Sequence, residues 1–377
     1  MRSTPILAAL VAVLAACGGA PKTPPPALPE APAAPSTPAT PAPPSEPVAV
    51  DANPDKPSGA DAARDAELAA AATAAIEAFS NGQAVLTRDG KRVVFVSDRD
   101  GLPQLYIADA GKPDAPATRL TTSTERTTVP VLTPDGKALV FQSDHGADEN
   151  WRYFRINLDG SGLVELTPNA VRQRNEALIS DARPDAIFYS ARQMSDVGTG
   201  VYTTSAVTPG EEKQIYKDDK PGSLIDLSRD GKWGLYERYP SRAENYLVAI
   251  DLATGVAKPV WPKDGKVSIF SAGFSADGKR VIIATDGGAE QALLLSVDVA
   301  TGKETARYVE TKPATAEISG VDVARRGNTV ALSVSAGNHS EIRVLDATTL
   351  KLKTSVALPL GAGGVGRFTE DGKRFTL

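Results

Sequence analysis

The chain has 377 residues, with 41 Lys and Arg against 46 Asp and Glu for a formal net charge of −5, one Cys and two His. This mildly acidic balance lacks the basic surface that nucleic-acid binding requires. One Cys excludes an internal disulfide and a thiolate zinc cluster, and two distant His exclude a multi-histidine metal site. A Ser-His-Asp site would have to use His145 or His339. The length suffices for two ordinary domains or one large repeat domain.

The first 17 residues have the layout of a secretory signal peptide that ends at the cysteine. The apolar stretch Ile6–Leu14 is too short to span a bilayer as a stable helix. The sequence Leu-Ala-Ala-Cys that ends at Cys17 resembles the bacterial lipobox, after which the cysteine becomes the lipidated first residue. We therefore predict a lipoprotein signal peptide over residues 1–16 and lipidation of Cys17; a plain signal peptide with a chance Cys is the alternative. Gly18, in place of Asp, favours by the same resemblance an outer-membrane lipoprotein facing the periplasm.

A linker and a helix are expected next. Residues 17–60 are rich in Pro and Ala and poor in core-forming residues, which predicts a disordered tether with extended polyproline character. Drifted low-complexity sequence is the alternative, and it predicts disorder as well. Residues 61–80 are Ala-rich, contain no Pro or Gly, and place Leu68, Ile76 and Phe79 on one stripe. They are expected to form a short helix.

One motif recurs from residue 81 to the end. Its five clear copies carry an Asp-Gly-Lys turn, with the turn residues Asp89, Gly90, Asp135, Gly136, Asp230, Gly231, Asp277, Gly278, Asp371 and Gly372. Weaker copies lie at 182–185 and 324–328. The seven loops recur about every 46 residues, a period typical of propeller blades with four strands each. Each Asp-Gly pair is expected to form a two-residue hairpin turn.

The residues around each turn complete the blade pattern. An apolar strand follows the turn, a third strand often ends in Asp, and an outer strand closes the unit. We predict an all-β fold over residues 81–377, a β-propeller of six complete blades plus a partial seventh, because the last copy stops after the start of its second strand. The ring either stays open or closes around six blades with the tail as a clasp. A reading frame that is the front part of a longer gene is a third possibility.

The repeat resembles known propellers. A Ser/Thr-x-Asp-Gly-Lys loop, an apolar strand and Ser-Asp are similar to the WD40-like repeat of the TolB propeller. The N-terminal propeller of the prolyl oligopeptidase family, of the acylaminoacyl-peptidase and dipeptidyl-peptidase type, is more similar still over about residues 75–377. The segments that carry this likeness are 76–79, 97–101, 103–106, 148–151 and 238–242.

The resemblance implies a propeller without that family's catalytic domain. There the chemistry resides in a C-terminal α/β-hydrolase domain with a Gly-x-Ser-x-Gly elbow, an Asp and a His. This sequence contains no Gly-x-Ser-x-Gly, so no triad residue can be carried over. His145 and His339 fall in comparable loops of two blades and are expected to be solvated. We predict no catalytic residue, cofactor or metal site in this chain.

Other candidate sites give weaker signals. Three groups of acidic residues could bind calcium: Asp98 with Asp100, Asp144 with Asp148 and Glu149, and Asp218 with Asp219. None of them matches an EF-hand loop, and Asp in such loops is usually a turn former. A face that recognises carboxylates could be lined by Arg99, Arg238 and Arg242, although scattered arginines are usually solvated. Packing between blades is expected for Trp151, Trp233 and Trp261.

Three functional interpretations follow. The first is a lipid-anchored, non-catalytic periplasmic propeller that binds a protein or peptide. The second is the substrate-gating propeller of a prolyl-oligopeptidase-like serine peptidase, whose hydrolase domain is absent from this chain or separate from it. The third is a TolB-like envelope scaffold. In each, the membrane is reached through the lipid anchor only, and nucleic acid is not a partner.

Overall fold

The structure, a computed structural model, describes residues 59–112, 114–168, 172–287, 291–311, 316–356, 358, 361 and 363–377. The predicted signal peptide, Cys17 and the predicted tether up to residue 58 lie outside the described residues. Two compact units divide the described chain, one formed by residues 59–78 and the other by Phe79–Leu377.

Helix α1 spans Ala60–Ile76. The sequence pattern predicts helix as far as Ser80, but the chain after Ile76 is not helical. Ser80 instead donates hydrogen bonds to Asp98 from its N–H at 2.6 Å and from its hydroxyl at 2.9 Å, which fixes the start of the first strand. Among the helices of the described residues, none has the length and apolar character needed to cross a membrane.

In the part of the chain that the structure describes, twenty-five strands follow the helix and form six sheets, which we call blades 1 to 6. Blade 1 contains β1 (Asn81–Leu86), β2 (Arg92–Ser97), β3 (Gln104–Asp109) and β4 (Thr118–Arg119). Blade 2 contains β5 (Thr127–Leu132), β6 (Ala138–Ser143), β7 (Arg152–Asn157) and β8 (Val164–Glu165). Blade 3 contains β9 (Gln173–Arg174), β10 (Leu178–Ser180), β11 (Arg183–Arg192), β12 (Gly200–Ser205) and β13 (Lys213–Lys217).

The second half of the chain repeats the pattern. Blade 4 contains β14 (Gly222–Leu227), β15 (Trp233–Ser241), β16 (Glu244–Asp251) and β17 (Ala257–Trp261). Blade 5 contains β18 (Ile269–Phe274), β19 (Arg280–Thr285), β20 (Leu293–Asp298) and β21 (Glu304–Val309). Blade 6 contains β22 (Glu317–Val323), β23 (Thr329–Ser335), β24 (Ser340–Asp346) and β25 (Leu352–Val356).

The blades form a propeller ring, which confirms the predicted fold. Strands pair antiparallel in chain order within each blade, and β9 adds to the end of β11 in blade 3. The first strands of successive blades lie side by side, as for β1 with β5 and β14 with β18, and so line a central channel. We call the end of the ring with the turns between first and second strands the turn face. The other end, with the loops that join one blade to the next, is the loop face.

The core lies between the blades. The second strands of blades 2 to 5 are largely apolar on both sides, because each of these blades lies between two others. On β19, Val281 and Ile283 pack towards blade 4, whereas Ile282 and Ala284 pack towards blade 6. Burial of each such aliphatic side chain contributes about 1.5–3 kcal/mol, so the ring is held together chiefly by contacts between sheets.

The repeat turns hold four residues, and the predicted two-residue hairpin was wrong. In the first copy the Thr87 N–H donates to the Arg92 carbonyl at 2.9 Å, while the Thr87 hydroxyl accepts from the Arg92 N–H at 3.1 Å and donates to Asp89 at 2.7 Å. Asp89 also accepts from the Lys91 N–H at 3.0 Å. The hydroxyl therefore replaces a backbone partner and allows the longer loop, in which Gly90 takes a φ of 64°.

The two weaker copies differ from each other. In blade 3 the strand pairing closes at Ser180 and Arg183, so the turn is Asp181-Ala182 and not residues 182–185, of which 183–185 already belong to β11. In blade 6 the Ala324 N–H donates to the Thr329 carbonyl at 3.0 Å, which makes a four-residue loop without the hydroxyl.

The C-terminal residues 363–377, which we call the tail, form a hairpin-like segment. A single bridge joins Phe368 to Phe375, and the turn between them repeats the loop of the blades. The described residues contain six complete blades and no named strand of a seventh. The partial seventh blade therefore stays a prediction.

Candidate functional site

The channel is accessible from the loop face. Inner strands begin at that face, and three of them have exposed residues near this end. Phe270 on β18 is 38% exposed, whereas Phe274 at the other end of the strand is 5% exposed. Glu317 and Ser319 on β22 are exposed as well, as is Asn81 on β1. We call these four residues, Asn81, Phe270, Glu317 and Ser319, the channel mouth.

Charged side chains close the channel at the turn face. Arg88 of blade 1 forms an ion pair with Asp181 of blade 3, and Arg326 of blade 6 approaches the same carboxylate at 3.6 Å. Arg326 also contacts Glu370 of the tail at 3.2 Å. Because blades 3 and 6 lie on opposite sides of the ring, these contacts cross its centre.

Two more bridges reinforce the closure. Arg325 of blade 6 donates to the Leu227 carbonyl at 2.8 Å and to Asp226 of blade 4 at 2.9 Å. Arg367 of the tail donates to Glu176 of blade 3 at 3.3 Å. The small space beside this second pair is lined by residues of β1 and β5: Gln83, Ala84, Val85, Val129 and Pro130. Side chains therefore fill the turn-face end of the channel.

The carboxyl groups in this closure influence each other. Burial raises the pKa of Glu370, and a hydrogen bond shared with Asp181 raises it further. Burial also acts to raise the pKa of Asp181, but hydrogen bonds from Glu370 and Arg88 outweigh it and the pKa is lowered. Glu370 is thus the member of the pair that holds the proton more readily.

Arginines stack on aromatic rings at the loop face. The guanidinium of Arg99 lies 4.9 Å from the ring centroid of Phe79 and 4.8 Å from that of Tyr106, and it donates to the amide oxygen of Asn81 at 3.0 Å. Such contacts are worth about 0.5–2 kcal/mol each. Arg99 therefore borders the channel mouth in an ordered position.

The other predicted arginines are not brought to Arg99. Arg238 is paired with buried Asp218 through bonds of 3.0 and 2.7 Å, and Arg242 is exposed in the turn after β15. Both belong to blade 4, whereas Arg99 belongs to blade 1. The three arginines share the loop face but stand on two separate blades, and Arg238 is already paired with Asp218.

The predicted acidic groups have partners from the protein. Asp98 accepts from Ser80, Asp100 accepts from the Tyr106 hydroxyl at 2.6 Å, and buried Asp144 accepts from Arg126 at 2.7 Å. Over the described part of the chain, no three His, Cys, Asp or Glu side chains are grouped so that they could hold a metal ion.

The two histidines lie in different blades. His145 is exposed in the loop after β6, and its N–H points to Asp148 at 3.4 Å. A ring nitrogen of His339 lies 3.1 Å from Glu341 in blade 6. Of the tryptophans, Trp233 and Trp261 pack against the core between blades 4 and 5, whereas Trp151 lies beneath the guanidinium of Arg126 at 4.6 Å.

Sequence reasoning missed the groups that close the channel. Arg88 and Glu370 occupy the same place in the repeat, directly before the turn Asp, and Arg325 occupies the matching place in blade 6. A comparison of that variable position across the copies would have found them. Arg174 carries no such signal; its side chain is fully buried, pairs with Glu212 and donates to the Trp151 carbonyl at 3.1 Å.

Comparisons with known proteins agree with this architecture. No family model matches the chain. Dipeptidyl aminopeptidase BIII of Pseudoxanthomonas mexicana is 24% identical over 229 residues, which are 58% of this chain and 32% of that protein. The chain therefore spans about a third of that relative.

Solved structures show the same fold. Prolyl oligopeptidase B of Galerina marginata, bound to a 35mer hydrolysis and macrocyclization substrate, has a TM-score of 0.61 at 14% identity, covering 81% of this chain and 47% of its own. TolB of Acinetobacter baumannii has a TM-score of 0.50 at 14% identity, covering 75% and 64%. The fold is that of the propellers in prolyl oligopeptidases and TolB, as the repeat predicted.

Proposed function

We propose that this chain is a non-catalytic binding protein of the cell envelope, attached to a membrane through lipid on Cys17. Its propeller binds a peptide or a peptide-like segment of another protein at the channel mouth. One observation carries the proposal: three of the six inner strands, β1, β18 and β22, present exposed residues at the loop face, whereas charged side chains fill the channel at the turn face.

The chemistry of the mouth suits a peptide. Phe270 offers an apolar ring, and Asn81 and Ser319 offer hydrogen-bonding side chains on other inner strands at the same face. Binding sites commonly combine an apolar surface with a few polar groups that fix orientation. Glu317 adds a negative charge, which favours peptides with a cationic group near the bound end.

A displayed library of random heptapeptides, selected on the purified protein, tests the mouth. We expect Phe270→Ala to weaken the selected peptides about tenfold, because a buried aromatic contact is lost. Leu163→Ala is the matched control, since Leu163 is a 58% exposed apolar residue in the turn between β7 and β8, at the turn face. Peptides that bind Phe270→Ala and the wild type equally would contradict this site.

The lipid anchor is tested separately. We expect Cys17→Ala to move the protein from the membrane fraction to the soluble periplasmic fraction, because the acyl chains supply the membrane affinity. Substitution of Gly18 by Asp in the otherwise unchanged protein keeps the lipid and should change only which membrane holds it. Membrane association that survives Cys17→Ala would refute the anchor.

A peptidase propeller is the second candidate, favoured by the likeness to a dipeptidyl aminopeptidase and a prolyl oligopeptidase. Here the ring would control access to a hydrolase domain outside this sequence. Chromogenic dipeptidyl and acyl-peptide substrates separate the two candidates. Our first proposal predicts no turnover by the purified chain, and turnover abolished by a serine-reactive phosphonate would establish the second. A Gly-x-Ser-x-Gly region encoded directly downstream would favour it as well.

A TolB-like envelope scaffold is the third candidate and is supported by the shared fold. It predicts cross-links in cells to peptidoglycan-associated lipoproteins. A clean cross-linking experiment without them counts against it and leaves the peptide-binding proposal unaffected.

A further inference from the structure

We propose that the tail, residues 363–377, is a latch that closes the ring. It occupies the place of the inner strand of a seventh blade, joins blade 6 to blade 1, and bridges to blade 3 across the channel. Release of the tail would loosen blade 1 and open the turn-face end. This inference concerns the turn face and does not depend on what binds at the mouth.

Hydrogen bonds show that the tail is placed as a blade strand would be. The Val365 N–H donates to the Ser333 hydroxyl at 2.7 Å, and the Phe368 N–H donates to Asp322 at 2.8 Å. Complete blades make the same bonds to their neighbours. The Leu224 N–H donates to the Ser190 hydroxyl at 3.1 Å, and the Phe274 N–H donates to Asp226 at 2.7 Å.

Apolar packing fixes the tail on blade 6. Val365 is buried against Ala331 and Ile342, and the rings of Phe368 and Phe375 cover the same cluster. The two rings contact each other edge to face at 5.3 Å between centroids. The tail therefore covers the side of blade 6 that the other blades cover with a neighbouring sheet.

The contact with blade 1 is polar and specific. The guanidinium of Arg374 donates to the Gly90 carbonyl and to the Asp89 carbonyl, each at 3.1 Å. A Cβ at position 90 would overlap that guanidinium, so the glycine permits the close approach. The last repeat turn is thereby joined to the first.

Bridges across the channel complete the latch. Arg367 reaches Glu176 of blade 3, and Glu370 contacts Arg326 of blade 6 beside Asp181 of blade 3. One short segment thus contacts three blades that are far apart in sequence. A chain end that merely lay on blade 6 would make none of the contacts to blades 1 and 3.

Hydrogen exchange on the full chain tests the latch. In Arg374→Ala we expect amides of β1 (Asn81–Leu86) to exchange about tenfold faster, because local opening of blade 1 becomes easier. Amides of β19 and β20 serve as the internal reference for global stability and should keep their rates. Lys373→Ala is the control, since Lys373 is exposed beside Arg374 and only its backbone N–H is hydrogen-bonded, to Asp371.

A second variant tests the latch if Arg374→Ala leaves the exchange rates unchanged. Phe368→Ala removes apolar contact with blade 6 and does not touch blade 1 directly. A latch predicts faster exchange in both the tail and β1. Faster exchange in the tail with unchanged β1 would overturn the proposal, as would faster exchange throughout β19 and β20, which would indicate general destabilisation.

Discussion

Single charged residues in this ring differ sharply in what surrounds them. Glu237 on β15 is 8% exposed, and strand alternation places it on the side where Leu235 packs between blades 4 and 5. Burial raises the pKa of Glu237 to about 7. By contrast, the carboxylate of Asp218, also buried, is held charged by Arg238, which lies 2.7 Å away.

The pKa of Glu237 predicts a pH-dependent stability. Its folded value exceeds the ordinary value of 4.5, so the folded state binds the proton more tightly and stability is lost as pH rises from about 4.5 through 7. We expect Glu237→Gln to raise the free energy of unfolding by roughly 3 kcal/mol at pH 8 and by little at pH 4.5. Urea unfolding at both pH values measures this.

The matched control for that experiment is Glu211→Gln, because Glu211 is fully exposed in the loop before β13. It should leave the pH profile unchanged. Parallel pH profiles for Glu237→Gln and the wild type would show that Glu237 is not buried as described.

Arg174 gives a second prediction at this scale. Its buried guanidinium pairs with Glu212, which also accepts from the Tyr189 hydroxyl at 2.6 Å. We expect Arg174→Met to destabilise the protein by about 3 kcal/mol, because buried Glu212 loses its main partner and keeps only the longer contact with Arg172, at 3.4 Å. The double variant Arg174→Met with Glu212→Leu should recover most of that loss in urea unfolding. No recovery would mean that Arg174 acts through packing alone.

Turns and strands were the elements that the sequence revealed best. The Asp-Gly-Lys copies located the turns of four of the six blades and the turn of the tail, because Gly and a hydroxyl-bearing residue are needed at fixed places in the loop. The turn of blade 3 was not located correctly, because a two-residue turn such as Asp181-Ala182 needs neither the glycine nor the hydroxyl. Strand β9 was not predicted either, since a strand of two residues shows no periodic pattern.

Glycines in turns provide a test at the scale of the element. Gly278 in blade 5 has a φ of 67° and its nearest neighbour for an added Cβ is Ser228 at 4.0 Å, whereas Gly255 has a φ of 75° and an added Cβ would overlap the Ile215 carbonyl of blade 3. We expect Gly278→Ala to destabilise by about 1–2 kcal/mol from backbone strain alone. Gly255→Ala should cost more, because blades 3 and 4 must separate.

Thermal unfolding of the two glycine variants under identical conditions measures the difference. Equal losses would indicate that the approach of the two blades at Gly255 is not as close as the structure shows.

The whole molecule is a row of similar sheets whose stability is uneven. Strands β19 and β20 of blade 5 are buried along nearly their full length between two neighbours, whereas β1 is exposed or half-buried throughout. We expect hydrogen exchange of the wild type to be slowest in β19 and β20 and fastest among inner strands in β1. Equal protection of β1 and β19 would contradict this order.

The repeat predicts the ring of blades, but it does not predict which side chains fill the central channel. A period and an apolar strand pattern specify the number and order of blades. Which side chains cross the channel depends on distances between blades 1, 3 and 6 and the tail, and residues such as Arg88 and Asp181 are 93 positions apart. The shared position in the repeat shows which side chains lie at the turn face, but no local pattern shows which of them pair.

The channel is open at the loop face and closed at the turn face. A polypeptide cannot be threaded through it, so whatever is recognised must insert and withdraw by the same route. Free termini and narrow protruding loops fit that geometry, while the middle of a folded strand or helix does not. If the channel mouth binds a peptide, as proposed, the closed turn face restricts its partners to those with a free terminus or a narrow loop.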